Sequence, residues 1–179
     1  MSIRYDSLDE AVRHCMISEL DRDTQGGNLY ISSRLTEAGA LGWPILLHEA
    51  LVKHDDIWLA EQIRTRDLMR VTEQRRARGG GITSAKVPHN APETLAEGEF
   101  NRFYIRGLCK HVMECAGTEV EVYRGKDVSN PRPDSQAMIG KRLPASQLLQ
   151  DLRASQGVEP ALGLPPGPNS GLTVRSVHE

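Results

Sequence analysis

APETLAEGEFNRFYIRGLCKHVMECA, residues 91–116, is the longest stretch of the chain with apolar residues at helical spacing. Pro92 suits a first helical turn, because the amide proton it lacks has no partner there within a helix. Gly117 follows directly, and glycine commonly ends helices. The stretch therefore predicts one long helix from about Asn90 to Ala116, which we expect to be the central helix of the fold.

Steps of three and four residues give this helix two faces. One face is apolar, and we expect it to be buried; it contains Phe100, Tyr104, Ile105, Leu108, Val112 and Cys115. The other is charged, and we expect it to face away from the core; it contains Glu99, Arg102, Arg106, Lys110 and Glu114. The charged face is a candidate surface for an anionic ligand.

Shorter helices are predicted on both sides of this one from capping residues and apolar spacing. Ser7 begins a capping box, Pro44 suits a first helical position, and Asp55 or Asp56 can cap a third helix. The expected helices are residues 8–21, 44–53, 56–71 and 144–154.

Strands are predicted where polar and apolar residues alternate or where short β-compatible runs occur. The clearest is 118–123, which follows Gly117; the others are 29–31, 82–87 and 173–177. With the helices, they predict an α+β, mainly helical fold. We expect a helical part at 1–76, a glycine-rich hinge at 77–90, the long helix with a strand and a short helix at 91–156, and a Pro/Gly-rich tail at 157–179.

The composition of the chain is typical of a globular protein. The chain has 179 residues, 39% of them hydrophobic and 26% charged, as in globular proteins. Its three cysteines have no disulfide-framework spacing, its first residues do not resemble a signal peptide, and no apolar run approaches the length of a membrane span. We therefore expect a cytoplasmic protein without a membrane partner.

Positive charge is concentrated around QRRARGGGITSAK, residues 74–86. Residues 64–86 contain 7 Lys/Arg against 2 Asp/Glu, whereas residues 1–63 contain 5 against 11. Arginine binds phosphate and carboxylate bidentately, and glycines allow a close backbone approach. The predicted site for nucleic acid or an acidic protein partner comprises Arg64, Arg66, Arg70, Arg75, Arg76, Arg78, Arg102, Arg106 and Lys110. Phe103 and Tyr104 could stack on unpaired bases.

Two other interpretations are open. The cations can simply form a solvated surface, or the protein can be a structural or adaptor subunit of a larger assembly, including a homo-oligomer. Leu162, Leu164 and Leu172 in the tail favour packing, either on a neighbour or on the protein's own core.

Metal and enzyme chemistry receive less support. Cys109, His111 and Cys115 are irregularly spaced, so we expect buried apolar cysteines, no metal site and no cofactor. His54-Asp55, with His48 and His14 upstream, resembles the HD phosphohydrolases, which would imply a metal-dependent hydrolase. A helix cap at Asp55 explains the same residues, so a non-enzymatic binding protein is the preferred prediction.

Overall fold

The computed structural model describes residues 2–76, 79–155, 164 and 170–177, and this part of the chain is α+β and mainly helical, as predicted. Its helices are α1 (Glu10–Gln25), α2 (Glu37–Lys53), α3 (Asp56–Thr65), α4 (Ala91–Glu114), α5 (Pro133–Met138) and α6 (Ala145–Ala154). Its strands are β1 (Thr72–Arg76), β2 (Ile82–Lys86), β3 (Glu119–Arg124), β4 (Arg142–Pro144) and β5 (Leu172–Ser176). None of these helices is long and apolar enough to cross a bilayer.

Helix α4 is the predicted central helix, and α1, α3 and α6 pack against it. The contact with α1 is the most extensive, and Gly107 makes it feasible. A Cβ at Gly107 would lie 2.5 Å from Met16 Cγ and 2.8 Å from the Met16 backbone nitrogen. The two backbones are therefore closer together than any side chain at this position would allow.

One hydrophobic core contains residues from both sides of the glycine-rich segment. Leu47 and Ile63 from the amino-terminal helices, Phe100 from α4 and Leu148 from α6 belong to the same buried cluster. The parts of the chain on both sides of residues 77–90, the predicted hinge, therefore contribute to one core.

A three-stranded antiparallel sheet, in the order β4-β3-β5, packs beside α4. Val122 of β3 is paired with Val174 of β5, and both are fully buried. Asn101 of α4 donates from Nδ2 to the Leu172 carbonyl at 2.9 Å. The predicted strands that became β3 and β5 are confirmed, whereas β4, only three residues long, was missed.

Strands β1 and β2 form a separate antiparallel hairpin, in which Thr72 is paired with Lys86 and Arg76 with Ile82. The prediction of β2 is confirmed, but β1 was missed because its residues were expected to form the eroded end of the third helix and the loop after it. Helix α3 ends at Thr65 because Asp67 adopts a left-handed backbone conformation, with φ of 49°. We call β1, β2 and the turn between them the ribbon.

Two predicted helix starts are wrong. Helix α1 is capped by Asp9, whose side chain accepts from the Val12 amide at 2.8 Å. Ser7, the predicted cap, instead accepts at its hydroxyl from the Ser176 amide at 3.1 Å. Helix α2 begins at Glu37, before Pro44 rather than at it.

Burial of neighbouring side chains explains how Pro44 can lie inside α2. A proline within a helix costs about 3 kcal/mol. Full burial of Trp43 and Leu47 on either side of Pro44 offsets this cost. The Trp43 indole also donates to the Tyr30 carbonyl at 3.0 Å, in the segment 29–31, which was predicted as a strand and is not one.

The close contact between α1 and α4 can be tested with two glycines of α4. We expect Gly107→Ala to lower the free energy of unfolding by ~2 kcal/mol, because the new methyl group overlaps Met16. Gly98→Ala is the matched control, since a Cβ there meets no atom within 4 Å, and should raise stability by ~1 kcal/mol through helix propensity. Urea unfolding followed by circular dichroism measures both. Equal effects of the two changes would contradict the close contact.

Candidate functional site

Arg106, predicted to lie on the charged face of α4, is fully buried. Its Nη2 donates to Glu19 Oε2 at 2.8 Å, and its Nη1 donates to Asp23 Oδ2 at 2.5 Å. Arg153 of α6 donates from Nε to the same Glu19 carboxylate at 2.9 Å. The carboxylates of α1 neutralise Arg106, so the prediction that it faces away from the core is wrong.

The neighbouring cations of α4 also make internal contacts. Arg102 is 6% exposed; its Nη2 donates to the Leu152 carbonyl at 3.1 Å, and its Nη1 lies 3.8 Å from Glu99 Oε1. Lys110 is half-buried and donates from Nζ to Ser18 Oγ at 2.5 Å. This face of α4 packs between α1 and α6, so the predicted outward orientation is wrong for Arg102 as well.

The two aromatic residues expected to stack on bases are buried. Phe103 is 1% exposed and has the Arg106 guanidinium 4.9 Å from its ring centroid. Tyr104 is fully buried, and its hydroxyl accepts from the Ser7 amide at 3.2 Å. Neither ring can reach a base without opening the core.

Two arginines of the basic segment bind other parts of the protein from exposed positions. Arg64 forms an ion pair with Glu93 at the start of α4 and donates to the His89 carbonyl at 3.1 Å. Arg70 donates from Nε to the Leu35 carbonyl at 2.9 Å. These contacts attach α3 and the base of the ribbon to neighbouring segments.

The ribbon has two faces because successive residues of a strand point to opposite sides. The inner face consists of Glu73, Arg75, Thr83 and Ala85. The outer face consists of Thr72, Gln74, Arg76, Ile82, Ser84 and Lys86.

On the inner face, Glu73 joins the ribbon to the rest of the protein. Arg34 donates from Nε to Glu73 Oε2 at 2.6 Å, and Arg75 donates from Nε to Glu73 Oε1 at 2.6 Å. The hydrogen bond from Arg34 is the main reason why the pKa of Glu73 is lowered. Arg75 is therefore already compensated by a carboxylate, although it is exposed.

On the outer face, all six side chains are exposed. Arg76 and Lys86 form no ion pair with any residue that the structure describes, and the same is true of Arg66, which follows α3. Gln74 and Ser84 lie opposite each other between the two cations of this face. The outer face therefore combines uncompensated positive charge with hydrogen-bonding groups.

The glycine triplet lies between β1 and β2 and leads into β2. Gly80 has a positive φ of 89°, a conformation that glycine adopts readily. Arg78, a predicted site residue, lies outside the described residues. Two of the nine predicted site residues, Arg75 and Arg76, lie on the described strands of the ribbon. They point to opposite faces of it.

Sequence reasoning missed Gln74, Ser84 and Lys86 as site residues. A signal for them exists in the sequence: two five-residue segments rich in polar residues, TEQRR and ITSAK, flank the glycines, as in a hairpin. Because residues 72–76 were expected to form the eroded end of the third helix and the loop after it, the two segments were not interpreted as a hairpin.

The residues predicted for a metal-dependent hydrolase do not lie together as a set of metal ligands. Asp55 caps α3 by accepting from the Trp58 amide at 2.8 Å, and the His54 ring stacks on the Trp58 ring with centroids 4.1 Å apart. Among the described residues, no group of three neighbouring metal-ligand side chains contains His54, Asp55, His14 or His48.

The cysteines partly follow expectation. Cys109 is buried, as predicted, and burial raises the pKa of its thiol to about 12. Cys115 is exposed, so the prediction that it is buried is wrong. Cys15 is buried and is grouped with His111 and Glu114.

Comparison with known proteins gives no relative: the chain matches no protein-family model, no curated protein and no solved structure.

Glu99 gives a pH-dependent test of the buried face of α4. Burial raises the pKa of Glu99 from 4.5 to about 7, against the opposing effect of Arg102 and Arg106. The folded state therefore binds more protons than the unfolded state between these values, so stability falls as pH rises through this window. We expect Glu99→Gln to match wild type near pH 4 and to exceed its unfolding free energy by ~3 kcal/mol near pH 8. Urea unfolding at several pH values measures this difference, and parallel curves would contradict it.

Proposed function

We propose that this protein binds nucleic acid through the outer face of the ribbon and catalyses no reaction there. The observation that carries the proposal is the pair of exposed, uncompensated cations, Arg76 and Lys86, with Gln74 and Ser84 between them. The buried arginines of α4 take no part in it.

The dimensions of the ribbon support this function. Its two strands lie about 4.8 Å apart, and a two-stranded ribbon of this width fits the major groove of duplex DNA, which is about 12 Å wide. Ile82 and Lys86 are four positions apart, a distance of about 13 Å along the strand. The face is long enough to meet the backbone and the base edges together.

The side chains on this face have complementary roles in such a complex. Arg76 and Lys86 would bind phosphate oxygens, which supplies affinity without sequence preference. Gln74 can bind an adenine edge bidentately, and Ser84 can bind several base edges. Ile82, 75% exposed, offers an apolar contact for a thymine methyl group.

Local charge also favours an anionic partner. Residues 66–86 contain six Lys/Arg against two Asp/Glu, within a protein whose net charge is −2. One of these carboxylates, Glu73, lies on the inner face and is neutralised by Arg34 and Arg75. An acidic protein could use the same surface, and a binding titration with DNA distinguishes it from nucleic acid.

The proposal predicts how salt affects binding of a labelled 20-base-pair DNA duplex, measured by fluorescence anisotropy. Each lost phosphate contact should lower the slope of log K against log salt by about 0.9. We expect Arg76→Ala and Lys86→Ala each to lower it by about that amount, and the double variant by about twice as much.

Arg75→Ala is the matched control, because Arg75 is adjacent in sequence but faces inward and is paired with Glu73. Its slope should equal that of wild type. The proposal fails if the wild-type protein does not bind the duplex, or if Arg75→Ala weakens binding as much as Arg76→Ala. Failure to bind DNA while binding an acidic protein would assign the surface to that partner instead.

A second candidate function, that of an assembly subunit, is favoured by an exposed apolar face on α2. Leu41 is 76% exposed, Ile45 is 73% exposed and Val52 is 40% exposed. These residues share one side of the helix, since they are separated by four and seven positions. An apolar helix face of this kind is a typical docking surface, and a second copy of the chain is the simplest occupant.

Light scattering after size exclusion tests this second function. We expect a dimer of twice 19.8 kDa that nuclease does not change, and a monomer for Leu41→Asp and Ile45→Asp. Val71→Asp is the control, because Val71 is 80% exposed and lies outside α2, directly before β1. A wild-type monomer at all concentrations would exclude self-assembly through α2.

A further inference from the structure

A group of three potential metal ligands lies where α1 meets the end of α4. The Cys15 sulfur, one nitrogen of His111 and one carboxylate oxygen of Glu114 all lie within 4.8 Å of one another. Cys15 Sγ donates to Glu114 Oε2 at 3.4 Å. These residues are far from the ribbon in sequence, and the DNA-binding proposal does not use them.

The fold itself holds the group together. His111 and Glu114 are three positions apart in the last turn of α4, so they share one side of the helix. Cys15 precedes Met16, the residue whose backbone packs against Gly107 of α4. The close contact between α1 and α4 at Gly107 therefore fixes the position of the thiol relative to the other two ligands.

The chemistry and spacing of these ligands suit zinc. Thiolate, imidazole and carboxylate are its usual protein ligands, at bond lengths of about 2.0 to 2.3 Å. Two ligands at such lengths in a tetrahedral site are about 3.5 Å apart. The 3.4 Å separation of Cys15 Sγ and Glu114 Oε2 already has this value.

The position also has access to solvent. His111 lines a cleft of about 590 Å³ together with Ser7, Thr118 and Arg142. Sites with three protein ligands keep a fourth position for water or another small molecule. We propose that Cys15, His111 and Glu114 bind Zn²⁺, with a water molecule as the fourth ligand.

A metal at this site must displace the proton of the Cys15 thiol. Burial, followed by the hydrogen bond to Glu114, raises the pKa of the Cys15 thiol to about 11. Metal binding must remove this proton, because zinc coordinates the thiolate. Lys110, with Nζ 3.9 Å from Glu114 Oε1, opposes a bound cation.

Co²⁺ is a suitable probe, because a cobalt–thiolate bond absorbs in the near ultraviolet and d–d bands report tetrahedral geometry. We expect the metal-free protein to bind one Co²⁺ with both signals and to lose them when Zn²⁺ is added. Cys15→Ser should abolish the thiolate band, and His111→Ala and Glu114→Gln should weaken binding more than about 100-fold.

Two matched controls make the assignment specific. His14→Ala removes the exposed histidine next to Cys15, and Cys115→Ser removes the exposed thiol that lies 3.8 Å from His111 Nε2; both should retain the wild-type affinity. Circular dichroism shows whether each variant is folded, and Glu114→Gln, at an exposed position, is the variant least able to disturb the core. Absence of a thiolate band in the wild type overturns the proposal. Equal losses in Cys115→Ser and Cys15→Ser overturn the three-residue assignment.

Discussion

The buried ion pairs of Arg106 are the constraint on which the rest of the structure depends. A guanidinium that is fully buried must be paired, because an isolated charge in the interior costs several kcal/mol. Glu19 and Asp23 supply the pairing from α1, and Arg153 adds a contact from α6. Three helices are thereby fixed in one arrangement, and the most prominent cation of α4 is no longer available to a partner.

This constraint determines which cations can act outside the protein. Positive charge on α4 stabilises the packing of helices, whereas positive charge on the ribbon faces solvent on a pair of strands with little packing of their own. Arg64, Arg70 and Arg75 occupy an intermediate position, since each is exposed yet contacts another group of the protein. Among the predicted site residues that the structure describes, Arg66, Arg70 and Arg76 are exposed and form no ion pair, and Arg70 is held by its hydrogen bond to the Leu35 carbonyl.

Sequence analysis predicted elements whose signals are local. The long helix, the Asp55 cap and the alternating strand β3 were recognisable because spacing and capping depend on residues close together in the chain. The burial of Arg106 was not predictable in this way, because its partners precede it by more than 80 residues. In the sequence, a charged residue that is buried on a helix has the same spacing as one that faces solvent. Likewise, β1 becomes recognisable only once its pairing with β2 across the glycines is considered.

The most direct test of the account is a ¹H–¹⁵N nuclear magnetic resonance titration of the protein with a short DNA duplex. The account predicts that shifts concentrate at the amides of Gln74, Arg76, Ser84 and Lys86, and that the amides around Arg102 and Arg106 keep their positions. Shifts centred on α4, with an unaffected ribbon, would contradict it, since they would place the binding surface on the helix whose cations the fold has already paired.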